Sequence, residues 1–285
     1  MVAEMLAGLV PGGVYAALAV CIVLMYQMLG VVNFALGAMG GLGACMSLLF
    51  VRWFGLGPVP STLAAVVCGG IIGVVVGLLV ARYFLEASVE LRTTVTIAIT
   101  AGLIAVGDRI LNGATYSFPN LFAGPSLEIF GTGVPIGSLV EVAAALLLAV
   151  GVQVFLRTTY LGAQLRAMSE RPITAGLLGI RVRTLTVAVW AFASAVATIA
   201  VMVVLPTSTT SFPPLAYLVI FALGAALLGL LRNMVIAAVG GVLIGMLQSI
   251  VQPSAIGRYT EAVPFAVIVL VMVWWRRRDV WSEAR

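Results

Sequence analysis

The sequence predicts an all-α, polytopic integral membrane protein with about nine transmembrane helices, and three observations predict it. Hydrophobic residues make up 62% of the 285 residues and charged residues only 9%, too little polar surface for a soluble chain of this length. Several apolar runs reach the roughly 18 residues that a bilayer-crossing helix needs. Charged residues gather between those runs rather than within them.

The expected spans are 5–29, 33–51, 61–83, 93–111, 137–156, 184–205, 214–231, 234–252 and 260–275, a count of nine within a range of eight to ten. Pro11-Gly12-Gly13 interrupts the first, so a short half-helix followed by a longer one is expected there. The last is short and needs little tilt or a thinned bilayer. The start, Met-Val-Ala-Glu, has neither the basic region nor the small-residue cleavage site of a signal peptide, so the first span is expected to be retained. Residues 1–285 read as one transmembrane domain, with a charged loop at 157–183 and a long connecting segment at 112–136.

Arginine placement sets the orientation, because cytoplasmic loops carry the basic excess. With 157–183 inside, twelve of the 15 basic residues fall inside: Arg82, Arg92, Arg157, Arg166, Arg171, Arg181, Arg183, Arg232, Arg276, Arg277, Arg278 and Arg285. Arg52, Arg109 and Arg258 fall outside. The N-terminus is therefore expected outside and the C-terminus in the cytoplasm, with Trp274, Trp275 and Trp281 as interfacial anchors. Segment 112–136, with Asn112, Gly113, Pro119, Asn120 and Gly124-Pro125, carries turn chemistry rather than a span. It and the polar stretch 205–214 are either a surface that receives another protein or ordinary connecting loops.

Composition also excludes chemistry. Every basic residue is Arg, and the chain has no His. A phosphate-binding loop needs a Lys, so the chain holds no nucleotide motif of that kind. His-ligated metals and His general bases are excluded too. Cys21, Cys45 and Cys68 lie in separate apolar runs and read as small buried residues. No catalytic residue, metal ligand or nucleic-acid-binding feature emerges.

The charged island is the most specific stretch. Leu161, Leu165 and Met168 recur at helical spacing and form one apolar stripe, with Gln164, Arg166, Ser169 and Glu170 on the remaining surface. Pro172 cannot continue that helix and suits the first turn of a second. Ala175, Leu177 and Leu178 are expected to pack, and Gly179 to close the second helix in a left-handed cap. Two short helices at an angle make a rigid lever, and Gly162, Ala163, Ala167 and Ala175 allow close approach by another protein.

Gly162, Arg166-Ala167, Ala175 and Leu178-Gly179-Ile180 sit at the spacings of the cytoplasmic loop of bacterial ABC-importer permeases. Together with Gly12-Gly13-Val14-Tyr15-Ala16-Ala17-Leu18, Val32-Asn33-Phe34-Ala35 and Gly240-Gly241-Val242-Leu243-Ile244-Gly245, they make the chain resemble the branched-chain (hydrophobic) amino-acid permease family. The resemblance implies a permease subunit of a binding-protein-dependent importer in a bacterial inner membrane. It implies a second, related permease chain, two ABC ATPase subunits, an extracytoplasmic solute-binding protein and surrounding lipid as partners. ATP and Mg would reside on the ATPase, with no cofactor in this chain. The coupling residues implied are Gly162, Arg166, Ala167, Glu170, Ala175, Gly179 and Ile180. Arg171 stands where relatives commonly carry an acidic residue.

Tyr15, Asn33, Phe34, Leu36, Gly37 and Gly40 are the candidate lining of a solute path. The glycines of 37–43 serve either close helix packing or an irregular helix whose backbone faces the path. An amide facing lipid would be costly, which favours the path for Asn33. Leu36 and Ala38 replace polar residues of relatives, which implies a more apolar lining and a less polar solute. Gly69, Gly73 and Gly77, like Gly241 and Gly245, recur every fourth residue as packing faces. The pentapeptide FALGA, at 34–38 and 221–225, lies in spans of opposite direction, a weak sign of an inverted repeat. Asp108, Arg109 and Glu141 sit near outer span ends, where an Arg109–Glu141 bridge is possible. No carboxylate near the midplane is evident, which argues against the alternative, an ion-driven secondary transporter or facilitator for a small neutral solute.

Overall fold

The structure, a computed structural model, describes residues 2–85, 87–111, 126–129, 132–204, 212–253 and 257–283. Most of the 112–136 segment, residues 205–211 and the side chains of Trp274, Trp275 and Trp281 lie outside that set. The chain folds as α1 Val2–Ala7, α2 Leu9–Leu29, α3 Leu36–Phe54, α4 Pro58–Tyr83, α5 Val89–Leu111 and α6 Ile136–Thr158. Two short helices follow, α7 Tyr160–Glu170 and α8 Pro172–Leu177. Then come α9 Val182–Val204, α10 Phe212–Leu228, α11 Met234–Val251 and α12 Val263–Glu283. The small exception to helix is an antiparallel hairpin, β1 Ser126–Ile129 with β2 Thr132–Pro135, where Leu127 faces Val134.

Among the described residues seven helices are long and apolar enough to cross a bilayer: α2, α3, α4, α5, α6, α9 and α11. Helix α10 is apolar but has 17 residues. Each of the nine expected segments overlaps a helix; the ends differ by up to four residues except for the last, where α12 runs eight residues beyond the expected 275. The first span breaks elsewhere than expected. Gly8 separates α1 from α2, and Pro11 sits inside the first turn of α2. Proline is tolerated there because that N–H has no intrahelical acceptor anyway.

Helix α2 is the axis of the molecule. Val14 to Met25 are buried on every side, as an apolar helix must be when protein rather than lipid surrounds it. Helices α6, α9, α10 and α11 pack around it. Contact with α11 is made backbone to backbone. A Cβ on Gly12 would meet Val242 Cα at 3.0 Å, and one on Gly8 would meet Met246 Cα at 2.5 Å. Gly241 and Gly245 face Ala16 and Gly12 more closely still.

The Gly69–Gly73–Gly77 face of α4 meets α9 as the spacing predicts. A Cβ on Gly73 would lie 2.6 Å from the Trp190 carbonyl oxygen and 2.7 Å from Ala191 Cα. The Ser194 hydroxyl donates to the Gly69 carbonyl at 2.6 Å across this seam. Such close approach replaces the hydrophobic drive that is missing between helices in lipid.

Consecutive long helices alternate in direction, so the ends near Arg82, Arg92, Arg157 and Arg232 lie on the side of α7 and α8. At that end the Gln27 amide donates to the Arg232 carbonyl at 2.6 Å. The bond holds a turn in which Leu230 and Leu231 both adopt positive φ, 58° and 55°.

Gly73→Val forces a branched side chain into the α4–α9 seam, at a cost of about 1–3 kcal/mol. The expected result is a lower midpoint of thermal unfolding for the purified protein in micelles. Gly102, in the interior of α5, has open space around it. Gly102→Ala is expected to hold or raise the midpoint, by about 0.5–1 kcal/mol of helix propensity. An unchanged midpoint in Gly73→Val would contradict the seam.

Candidate functional site

Helices α7 and α8 form a bent lever tied to the ends of α6 and α9. Thr159 starts α7, its hydroxyl accepting from the Gly162 N–H at 3.0 Å. Gly162 lies against the end of α6, where a Cβ would come within 2.6 Å of Leu156 Cα and the Phe155 carbonyl oxygen. Leu165 and Met168 are buried, and Leu161 of the expected stripe is half exposed at 51%. Leu161 instead lines an open apolar groove with Phe155, Leu165 and Phe192.

Arg166 does not extend freely. Its guanidinium donates to the Leu156 carbonyl, one of the last carbonyls of α6, which have no intrahelical donor. It thereby caps α6 and pins α7 to it. Arg171 ends α7 with φ −145° and ψ 88°, and Pro172 opens α8. Gly179, at φ +84°, closes α8 in the expected left-handed cap. The Ile180 N–H reaches the Ala175 carbonyl at 3.1 Å and the Gly179 N–H reaches the Gly176 carbonyl at 3.1 Å. That pair of bonds satisfies two carbonyls and fixes the exit toward α9.

Ala175 is the buried residue of α8, and Ile180 is half buried. Leu177 and Leu178, expected to pack, are 85% and 77% exposed. A six-residue helix seated on one alanine has no room to turn them inward. With Tyr160 and Ile173 they give the lever an apolar outer surface. Ala167 and Glu170 are exposed beside it. The i, i+4 spacing of Ile173 and Leu177 was the available signal for this face, and the expected inward packing hid it.

The candidate path residues come together as a closed seam. Asn33 is fully buried in the α2–α3 turn. Its carbonyl oxygen accepts from the Ala35 N–H at 2.9 Å, and its amide points to the sulfurs of Met25 at 3.4 Å and Met39 at 3.9 Å. The Phe34 N–H donates to the Thr96 hydroxyl of α5 at 3.2 Å. Leu36 is buried. A Cβ on Gly37 would lie 2.6 Å from the Ala216 carbonyl oxygen, and one on Gly40 would lie 2.7 Å from the Ala197 carbonyl oxygen. Close packing accounts for these glycines. Tyr15 stacks on Phe221 with ring centroids 5.2 Å apart, deeper in the same core. Thr96 was not singled out from the sequence; a lone Thr in an apolar span carries no pattern.

Three buried polar groups lack partners among the described residues: the Glu141 carboxylate, the Arg92 Nε–H and the Trp190 indole N–H. Each unpaired buried group costs about 1–3 kcal/mol, more when charged. Glu141 lies in the second turn of α6, near the span end where its sequence position puts it, but it does not face outward. It is buried on α6 against α2, its Cγ only 2.8 Å from where a Gly13 Cβ would stand. Arg109 is exposed, and the possible Arg109–Glu141 bridge does not form.

Residues 4–272 match the family described as the permease component of the branched-chain amino acid transport system. A probable branched-chain amino acid transport permease protein LivH from Methanocaldococcus jannaschii is 30% identical over 190 residues, covering 64% of this chain and 59% of the relative. The chain thus spans less than two thirds of that relative's length. The apolar helices are those of a membrane protein, and the family matched is one of transport permease components. The chain belongs to the branched-chain amino acid transport permease family.

Proposed function

We propose that the chain is the membrane-spanning subunit of a binding-protein-dependent ABC importer, in which the α7–α8 lever couples a separate ATPase to the spans. The lever's surface carries this reading. Tyr160, Ile173, Leu177 and Leu178 stand out from the bundle on a scaffold that caps and turns hold rigid. A rigid apolar projection flanked by arginines suits a groove on a soluble partner. The partners are a second permease chain, two ATPases holding ATP and Mg, and an extracytoplasmic binding protein. The lever side faces the cytoplasm of a bacterial inner membrane, which puts the arginine-rich ends inside.

The solute is a branched-chain or other apolar amino acid, or a small relative of one. Its path runs by the Asn33 turn, closed in this state by the Phe34–Thr96 bond and by the packing of Gly37 and Gly40. Helix α5 is the least buried of the seven long apolar helices and touches mainly α3 and α10. Its withdrawal breaks the Thr96 contact and uncovers the turn. ATP-driven movement of the lever supplies that displacement through α9 and through α3, which packs on both α9 and α5.

The unpaired Glu141 favours a second reading, in which a carboxylate carries a coupling cation. Glu141→Gln separates the two. In an ATP-driven importer it is expected to keep most of the uptake, whereas cation coupling needs the charge and would lose uptake almost entirely.

Arg166→Glu removes the α6 cap and sets a negative charge against a helix C-terminus. Gly179→Val strains the left-handed cap by about 1–2 kcal/mol. Both are expected to cut solute-stimulated ATPase activity and uptake in the reconstituted complex while the membrane bundle stays folded. Wild-type activity in both would remove the lever assignment, and failure of the chain to co-purify with an ATPase would remove the importer reading.

Cysteine placed at 33 or 36 is expected to react with a small water-soluble thiol reagent only during turnover, with solute slowing the reaction. Silence at both positions in every state would move the path elsewhere.

A further inference from the structure

Helices α6 and α9 both pack on α2 but scarcely touch each other, and an apolar groove of about 430 Å³ runs between them. Leu24 of α2 is its floor, and Leu161 and Leu165 of the lever close one end. Every lining residue is apolar or glycine. On α9 the lining keeps to one helix face, from Leu185 to Phe192. On α6 it runs from Leu148 to Leu156, about 12 Å at 1.5 Å per residue. The α6 wall is cut back at Gly151, where a Cβ would meet nothing within 4 Å. Positive charge stands at the lever end. Arg157 follows the last lining residue of α6 and is exposed, and the Arg166 guanidinium is bonded to the carbonyl of that same residue, Leu156. The carboxylate of the lever, Glu170, stands at the opposite end of α7 from Leu161.

We propose that the groove holds one acyl chain of an anionic phospholipid, with its phosphate at Arg157 and Arg166. Size favours a chain over a protein helix. A helix about 10 Å across takes roughly 900 Å³ over that length, twice the groove, so it would stand mostly outside. A single extended chain lies within. A polar solute would find no partner on these walls. The arginines choose the head group, since basic groups at the cytoplasmic ends of spans attract anionic lipid and pair with its phosphate. The chain lies under Leu161 and Leu165, so it supports the lever against α6 and α9 and lets lever and spans move together. This coupling half rests on the importer reading; the binding half does not.

The probe is phosphatidylglycerol, titrated against the full chain in micelles, with bound lipid counted by native mass spectrometry. Phosphatidylcholine with identical acyl chains is the control. The expected result is one saturable site that prefers phosphatidylglycerol by about fivefold or more, the scale of one arginine near a membrane surface. Arg157→Gln is expected to narrow that preference about fivefold while phosphatidylcholine binding stays. Gly151→Phe fills the groove from a position with open space around it. It is expected to weaken both lipids about tenfold, the scale of two displaced methylenes. If that variant fails to fold, Gly151→Leu takes its place. No saturable site, equal binding of the two lipids, or wild-type lipid binding in Gly151→Phe would each overturn the site. A dimer that Gly151→Phe dissociates, with the lipid count unchanged, would give the groove to a second copy of the chain and overturn it too. In the assembled complex, adding phosphatidylglycerol to phosphatidylcholine nanodiscs is expected to raise solute-stimulated ATPase activity in wild type and much less in Gly151→Phe. An equal response in both overturns the coupling half. Absence of any assembled ATPase defeats the importer reading, while the lipid counts still decide the groove.

Discussion

Close approach of helix backbones is the constraint on which the structure depends. Helices in a bilayer gain little by exchanging lipid contacts for contacts with each other, so association must come from packing distance and hydrogen bonds. Here the distance is set by glycine and alanine on paired faces: Gly8 and Gly12 against α11, Gly69 and Gly73 against α9, Gly37 against α10. These seams place α2 at the centre with every side covered. A seam held at backbone contact has no side chain to rotate aside, so it opens when the helices slide or part.

The same packing explains why the polar groups matter. An enclosed, mostly apolar bundle leaves few places where a donor or acceptor can stand unpaired, and those described here have different settings. Glu141 sits against Gly13 at the α2–α6 contact. Trp190 is packed into the α4–α9 seam, and Arg92 reaches the end of α2 through the Leu29 carbonyl. Each is a stability cost borne at a helix contact.

Much of the fold was legible in the sequence because membrane spans are announced by length and hydropathy alone, and the apolar runs found their helices. Gly179 and Pro172 were legible for a different reason: each acts through its own backbone, so the local sequence suffices. The misreadings share one cause. Pro11 was expected to break α2, but its position within the first turn made it harmless, and Gly8 broke the chain instead. Leu161, Leu177 and Leu178 were assigned inward, which supposes a single core beside the helix, whereas the described lever residues buried against the body are Gly162, Leu165, Met168 and Ala175, with Arg166 bonded to α6. The Arg109–Glu141 bridge was read from two positions near span ends, and what surrounds Glu141 is decided by Gly13, 128 positions earlier in the chain. The anchoring of Arg166 on α6 and of Phe34 on Thr96 is tertiary and leaves no periodic trace.

The central position of α2 also bears on the order in which the molecule can assemble. Synthesis delivers α2 early, but the helices that enclose it, α6, α9, α10 and α11, emerge much later. Until then α2 must persist as a lone helix in lipid, and its nearly uninterrupted apolar sequence permits that. The Gln27–Arg232 bond spans 205 positions, and the α2–α11 contact is of similar separation. Contacts of such long range form slowly, since the intervening chain must be ordered before they are gained. Closure of α11 onto α2 is therefore a late event, and a nascent chain that stops short of α11 leaves the glycine face of its own axis bare.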